Sequence, residues 1–348
     1  MSRGSLIAVA LAVSSFFSFP RSAQAVASDS LKIYFIDVEG GQATLFVTPT
    51  GQSMLVDTGW PGFTGRDAGR IVAAAKAAGL SRIDYILITH FHMDHVGGAP
   101  QLAERFPIGT FIDHGENRET GDQGTMQVWQ AYEKLLREGK YKHLVARPGD
   151  KLPITGMDAV VVSADGNLLG KPLPGAGGDN PACQGAEQYP ADTTENMRSL
   201  GFVATFGKLR ILDLGDLTRD KEMELMCPVN KLGKLDIYVV SHHGSEQSGS
   251  SALVHGIAPR VAIMDNGARK GGSSGSSQVI KKSPHIEDLW QLHYAEGDLS
   301  YNVPSELIAN AQGPDSGEYL VLTARPDGSF EVYNSRLKRT KRYEAKAH

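Results

Sequence analysis

Basic residues, cysteines and long apolar runs are all scarce in this chain. Lysine and arginine number 35 against 39 aspartates and glutamates, a net charge of −4. That balance is poor for gripping long nucleic acid by counterion release, although it leaves room for a local basic patch. The only cysteines are Cys183 and Cys227. Their pairing is unambiguous, but its formation depends on geometry that sequence does not supply. A hydrophobic content of 41% with 21% charged residues makes a sizeable core available without disulfide or metal staples. After Phe19 no stretch is apolar enough to span a bilayer. No internal repeat and no clear linker divide the chain.

The N-terminus reads MSRGSLIAVALAVSSFFSFPRSAQAVASDS. Arg3 gives it a positive head. Leu6 to Phe19 form an apolar run too short and too serine-rich for a comfortable membrane span. Ala23-Gln24-Ala25 supplies a small-x-small cleavage pattern. The reading is a signal peptide over residues 1–25 and one domain over 26–348; an uncleaved anchor is the alternative. Losing Arg3 and Arg21 lowers the charge by two, to −6. The expected location is periplasmic or secreted.

Leu31–Val38 and Gln42–Pro49 read as strands joined by a tight Glu39-Gly40-Gly41 turn, with SMLVDTG as a third. Ile71, Val72, Ala75 and Ala78 recur at helical spacing over 66–78, closed by Gly79. DYILITH is a buried strand that delivers His90 at its end. A short helix over 100–105, a strand IGTFIDHG and a helix over 127–138 follow. Residues 165–192 are rich in glycine and proline without a period, a long loop of the kind that often serves as a lid. SLGFVATFGKLRILDLGD gives two strands, and LDIYVVSHHGS and RVAIMDNG one each. RKGGSSGSSQ reads as a flexible loop. GEYLVLTARPDGSFEVYN is a C-terminal hairpin extension. Two mixed sheets face to face with helices outside would bury these runs, an α+β, four-layer αββα sandwich.

ITHFHMDHVGG, residues 88–98, gathers three of the eleven histidines around one aspartate. The bland alternative is a polar surface loop. His90 and His92 lie two apart after a strand, and in extended backbone such residues point the same way. Asp94 and His95 lie further round, where Gly97 and Gly98 allow a sharp turn and close approach of the next helix. One loop thus prepares two adjacent half-sites for zinc or manganese. Closing residues must come from elsewhere. Asp216 in LDLGDLT can bridge two ions, since its oxygens accept separately. Of His242 and His243 in VVSHHGS, one is a ligand and the other faces substrate, given alternate directions at a strand end. Asn196 precedes the strand leading to Asp216. His114 ends the strand after the histidine loop and reads either as a substrate contact, with Arg118 as an anion partner, or as a turn cap.

FIDVEGGQATLF, SMLVDTG, ITHFHMDHVGG, NMRSLGFVATFGKLRILDLGD and VVSHHGS together resemble the metallo-β-lactamase fold hydrolases. Within them the chain is most similar to the hydrolase domain of the competence protein ComEC and its soluble relatives, over roughly residues 31–266. The resemblance implies an αββα sandwich with a dinuclear site at one edge. It implies that His90 and His92 bind one metal, that Asp94 and His95 with His243 bind the second, that Asp216 bridges, and that Asp57 orients ligands. Asn196 stands where many members have histidine, which leaves the first metal more openly held and favours manganese or half occupancy.

These readings describe a hydrolase with two divalent ions, zinc as first choice and manganese as alternative, that share a bridging hydroxide. Asp94, His242 and His114 are the candidate catalytic residues, with Asp94 positioning or deprotonating the attacking water. The expected substrate is a phosphodiester, a small molecule or a short nucleic acid. Ester, lactone or β-lactam hydrolysis on the same fold is the alternative, and a metal-dependent ligand-binding protein without turnover is the alternative of another class. Oligomeric state is open, and no integral membrane segment remains after cleavage. The leader reading predicts that N-terminal sequencing of protein from its native host begins at Val26; a chain that still begins at Met1 refutes cleavage.

Overall fold

The computed structural model describes Met1 and residues 29–297 and 301–346, so the cleavage site lies outside the described residues. Leu31–Phe35 (β1), Thr44–Val47 (β2) and Ser53–Val56 (β3) form an antiparallel meander. Helix Arg66–Ala77 (α1) ends within one residue of the boundary its periodicity predicts. Then come Ile83–Leu87 (β4), Met93–Val96 (α2), Ala99–Ala103 (α3) and Ile108–Asp113 (β5). Gln123–Arg137 (α4) starts four residues earlier than expected, because the Asp122 side chain accepts the Thr125 N–H at 2.7 Å and caps it there. Lys142–Val145 (β6) completes this half.

The second half runs through Asp158–Ala164 (β7), Asn167–Leu168 (β8), Gly201–Phe206 (β9) and Leu209–Asp213 (β10). Arg219–Met226 (α5), Ile237–Val239 (β11), Ser251–Ile257 (α6) and Val261–Met264 (β12) follow. Ser274–Lys281 (α7), Asp288–His293 (β13) and Ile308–Asn310 (β14) close it. Leu320–Ala324 (β15), Phe330–Asn334 (β16) and Arg339–Tyr343 (β17) return to the first sheet, where β15 pairs with β1. The C-terminal extension is therefore three strands, one more than the expected hairpin, and it widens a sheet already present.

Among the described residues the strands form two mixed sheets, ordered β17-β16-β15-β1-β2-β3-β4-β5-β6 and β14-β13-β12-β11-β10-β9-β7-β8. Side chains alternate across each strand. Phe46 and Met54 thus point between the sheets, where Phe46 meets Phe202 edge-on at 5.8 Å. Leu45 and Leu55 point the other way, into a second cluster with Ile71 and Ala75 of α1 and Tyr132 of α4. This is the four-layer α+β sandwich that the apolar runs predict.

Two expectations are corrected. The glycine- and serine-rich stretch is not flexible throughout: Ser273 accepts the Ser276 N–H at 3.2 Å and starts α7. The loop over 165–192 is pinned. A disulfide joins Cys183 to Cys227, Leu169 and Leu173 are buried, and Asn180 Nδ2 donates to the carbonyls of Met226 and Ala252 at 3.1 and 2.9 Å. That ties the loop to α5 and α6 and leaves it unsuited to a lid's free swing.

Strands β3, β4 and β5 run parallel, as do β10 to β13. Their carboxyl ends carry Asp57, His90, His114, Asp216, His242 and Asp265. Such ends are where open α/β sheets gather ligands. Gln42 and Asp213 link the two sheets there, with Gln42 Nε2 donating to Asp213 Oδ2 at 2.7 Å. Burial pushes the Asp213 carboxyl up to about 7. In the unfolded chain it ionises near pH 4. Between those values the unfolded state releases a proton that the fold retains, so this group's contribution to stability falls as pH rises. Asp213→Asn stays neutral. Its stability relative to the natural chain should rise from pH 4 to pH 7, by up to roughly 4 kcal/mol. Urea unfolding at pH 5 and pH 8 measures this, and a difference independent of pH contradicts it.

Candidate metal centre

The histidine loop leaves β4 at Ile88 and turns into α2. Its backbone is held by Gln42 N–H to Asp94 O at 3.2 Å and Thr58 N–H to His95 O at 2.7 Å. Gly97 and Gly98 have ordinary helical φ values of −62° and −77°. They serve close packing instead of a sharp turn: a Cβ on Gly98 would lie 2.1 Å from Thr58 O, and one on Gly97 2.3 Å from Pro61 Cδ.

Asp94, His95, Asp216 and His243 converge in a buried cluster whose ligand atoms all lie within 4.8 Å of one another. His95 Nε2 lies 3.2 Å from Asp94 Oδ2, 3.3 Å from Asp216 Oδ2 and 3.2 Å from His243 Nε2. His243 Nε2 lies 3.2 Å from Asp94 Oδ2 and 3.5 Å from Asp216 Oδ1. A tetrahedral zinc ion with bonds of about 2.0–2.2 Å has ligand–ligand edges of about 3.3–3.6 Å. The donor set therefore fits such an ion in chemistry and spacing. Asp216 Oδ1 is buried without a hydrogen-bond partner, as expected of an atom that awaits a cation.

His90 and His92 face each other, with Nε2 of one 3.0 Å from Nδ1 of the other. His90 Nε2 is 3.9 Å from Asp216 Oδ2. This half is less closed than the Asp94 half. Asn196, buried with Oδ1 unpaired, belongs to a short turn three residues before Ser199, whose Oγ accepts the Asp216 N–H at 3.2 Å.

His90, His92 and His95 are each oriented through their other nitrogen, the support that metal-binding histidines generally have. Thr89 Oγ1 donates to Asp57 Oδ2 at 2.7 Å and lies 3.0 Å from His90 Nδ1. Asp57 Oδ2 also lies 2.7 Å from His95 Nδ1. Glu119 Oε2 is 2.9 Å from His92 Nε2, and Asp265 Oδ1 is 3.4 Å from His243 Nδ1. Burial, with His95 and His92 nearby, lowers His90 well below the usual imidazole range, which keeps it neutral. Burial alone would raise Asp94 and Asp216. The surrounding histidines outweigh it, with help from Lys270 at Asp94, and hold both carboxyls well below the usual range.

His242 and His243 sit in a short turn, Ser241–Gly244, with left-handed φ of 55° and 53°. Their directions come from this strained turn and not from strand alternation. His243 enters the cluster. His242 remains partly open, with Nε2 3.4 Å from Asp216 Oδ2. His114 is placed differently from the substrate-contact reading. Its ring is enclosed against Phe91 and bonded to Glu195 Oε2 at 3.0 Å, so it braces the loop under the histidines and does not face the opening. Arg118 stands outside with Glu116 at 3.1 Å.

Sequence reasoning passed over Glu119, Glu195, Asp265 and Lys270. Asp265 had a signal, since it follows a strand in RVAIMDNG. Glu119 and Glu195 lie in irregular loops without a pattern to read. The ammonium of Lys270 contacts Asp94 Oδ2.

Residues 37–179, which include the whole histidine loop, match the family model described as the metallo-beta-lactamase superfamily. The chain is 24% identical over 198 residues to ComE operon protein 3 of Bacillus subtilis (strain 168), covering 57% of this chain and 22% of that protein. It is 26% identical over 239 residues to Recombination protein 2 of Haemophilus influenzae, covering 67% of this chain and 24% of that one. A stretch of 85 residues is 38% identical to hydroxyacylglutathione hydrolase of Klebsiella pneumoniae, 24% of this chain and 26% of that one. The chain thus spans about a quarter of the length of these relatives. Among solved structures, the metallo-beta-lactamase fold protein YhfI of Bacillus subtilis has a TM-score of 0.46 at 13% identity, covering 85% of this chain and 100% of that one. Residues 37–179 carry a metallo-β-lactamase superfamily domain, the sandwich is the metallo-β-lactamase fold, and members of the ComEC family are among the chain's relatives at low identity.

Proposed function

We propose that this protein is an exported, metal-dependent phosphodiesterase that acts on a small phosphodiester or a short single-stranded nucleic acid. Asp94, His95, Asp216 and His243 would hold one divalent ion; His90 and His92, with Asp216, would hold the other. Zinc is the first choice and manganese the alternative. The observation that carries the reading is the convergence of the four groups, with the His95 and His243 Nε2 atoms 3.2 Å apart and each 3.2–3.5 Å from an oxygen of Asp94 and of Asp216. The name of Recombination protein 2 supports a nucleic-acid substrate, and the leader together with the Cys183–Cys227 bond supports an oxidising compartment. Local identity with hydroxyacylglutathione hydrolase favours acyl ester or lactone hydrolysis as the second reading.

Divalent ions supply Lewis acidity here, drawing charge from a phosphoryl or carbonyl oxygen and making water a ready nucleophile near neutral pH. The chain's own groups do the rest. Asp94 is an anion whose Oδ2 is engaged by His95 and His243, which leaves Oδ1 to orient the attacking water and take its proton. His242, kept neutral chiefly by burial, remains partly open, with Nε2 3.4 Å from Asp216 Oδ2 and Nδ1 3.3 Å from Ser248 Oγ. It is placed to donate to a substrate oxygen. His114 acts at one remove, by fixing Glu195, which accepts the Arg118 N–H at 2.8 Å and the Phe91 N–H at 3.4 Å.

Bis-p-nitrophenyl phosphate, single-stranded DNA, a lactone and nitrocefin, each with zinc and with manganese, test the reading. Asp94→Asn keeps the shape but removes the charge and the base. It should fold and lose roughly 10²–10⁴ in phosphodiesterase rate. His255→Gln, remote from the cluster and bonded only to Val279 O at 3.0 Å, should stay near the natural rate. A metal-loaded Asp94→Asn enzyme with full activity sinks the assignment. Absence of turnover on every substrate favours a binding protein instead.

Asp57→Asn probes metal orientation separately. Asparagine tolerates the left-handed φ of 58° at this position, but it cannot accept from His95 Nδ1 and Thr89 as a carboxylate does. Zinc affinity measured by calorimetry should fall about 10–100-fold with the fold retained. Unchanged affinity removes Asp57 from the scheme.

A further inference from the structure

Lys270 lies between β12 and α7, in a loop wedged against both segments that build the cluster. Gly267 N–H to Lys270 O at 2.9 Å closes a turn. A Cβ on Gly40 would lie 2.9 Å from Lys270 Cβ, and one on Gly41 would lie 2.4 Å from Asp94 O. On the other side, a Cβ on Gly271 would lie 2.0 Å from His243 O, which also accepts the Gly272 N–H at 2.9 Å. The backbone of Lys270 is therefore fixed between the Glu39–Gly41 turn and the His242–His243 turn.

Its side chain spans the boundary between cluster and solvent and is 35% exposed. Nζ touches Asp94 Oδ2 and stands 5.0 Å from the centre of the Trp60 ring, within cation–π range. The Trp60 backbone is itself held by Asp67, whose Oδ2 accepts its N–H at 2.8 Å. Asp94 Oδ2 is also the oxygen that faces His95 and His243 at 3.2 Å each. An ammonium and a divalent cation both need that oxygen. When Asp94 serves the cluster, Nζ is left over the Trp60 face, at the mouth, as a cation without its carboxylate.

We propose that Lys270, seated on Trp60, is the anion-binding residue of the substrate site: its ammonium passes from Asp94 Oδ2 to a non-bridging phosphoryl oxygen of the substrate. This rests on the phosphodiesterase reading above and adds that the substrate carries its negative charge next to the scissile bond. No covalent step is involved. Lys270 binds and positions, and its removal acts on affinity more than on the chemical rate.

The test compares the natural chain, Lys270→Met and Lys270→Arg, all metal-loaded, with inorganic phosphate as a calorimetric probe and bis-p-nitrophenyl phosphate as substrate. Losing a charged hydrogen bond should weaken phosphate binding and raise KM by roughly 10–100-fold, with kcat much less affected. Lys270→Arg should recover most of this. Zinc titration of metal-free Lys270→Met should show affinity equal to or above that of the natural chain, because a competitor for Asp94 is gone. Unchanged phosphate affinity in Lys270→Met, or zinc affinity lost with it, overturns the proposal; the second result makes Lys270 only a counterion of Asp94. If the natural chain cleaves neutral esters and no phosphodiester, the phosphodiesterase reading fails while the phosphate comparison still decides the role of Lys270. Metal-loaded natural protein that binds no phosphate overturns it as well.

Discussion

Two ionised carboxylates, Asp94 and Asp216, are buried in one cluster whose ligand atoms lie within 4.8 Å of one another, and the surrounding architecture compensates for that. A buried carboxylate left alone neutralises itself by taking a proton. Here the imidazoles of His95 and His243 stand against both groups, with Lys270 beside Asp94, and keep them charged. The two halves of the chain contribute unequally placed parts: the histidine loop with Asp94 leaves the first sheet, whereas Asp216 and His243 leave the second. Neither sheet contains the cluster by itself. The core between them, with Phe46 against Phe202, is therefore also what sets the distance between ligands.

Charge alone does not aim an imidazole. Asp57, Thr89 and Glu119 engage the far nitrogens of His95, His90 and His92, so their near nitrogens face the centre. The two halves of the centre differ in how far this goes. Around Asp94 four donor groups converge, their ligand atoms within 4.8 Å of one another. Around His90 and His92 the donors stand further apart, with His90 Nε2 3.9 Å from Asp216 Oδ2. Glycine makes the convergence possible at the backbone level. Gly41, Gly98 and Gly271 let main chains from three loops press together where any side chain would collide.

The histidine loop was legible because its information is local. Two residues apart on an extended segment share a direction, and an aspartate and a histidine just beyond them reach the same region. The limits of α1 were legible for the same reason, through apolar residues at helical spacing. Other elements gave weaker signals. β6 is a wholly exposed strand, so it carries no apolar alternation. α7 is written largely in serine and glycine, and only its cap and the buried Ile280 betray it. The caps act across one helical turn, and composition alone masked them.

What the sequence by itself determined was the kind of chemistry: imidazoles and carboxylates at a spacing that suits a divalent ion, on strand ends of an α+β sandwich. What only the tertiary structure decided was which groups meet. Glu119 lies 27 positions from His92, Glu195 lies 81 from His114, and Lys270 lies 176 from Asp94. No periodicity links residues so far apart. It also decided that His114 is a brace inside the wall, that His242 and His243 part company through a left-handed turn, and that Cys183 reaches Cys227. Local propensity extends over a few residues, whereas these contacts exist only once two sheets have packed and their carboxyl ends share one rim.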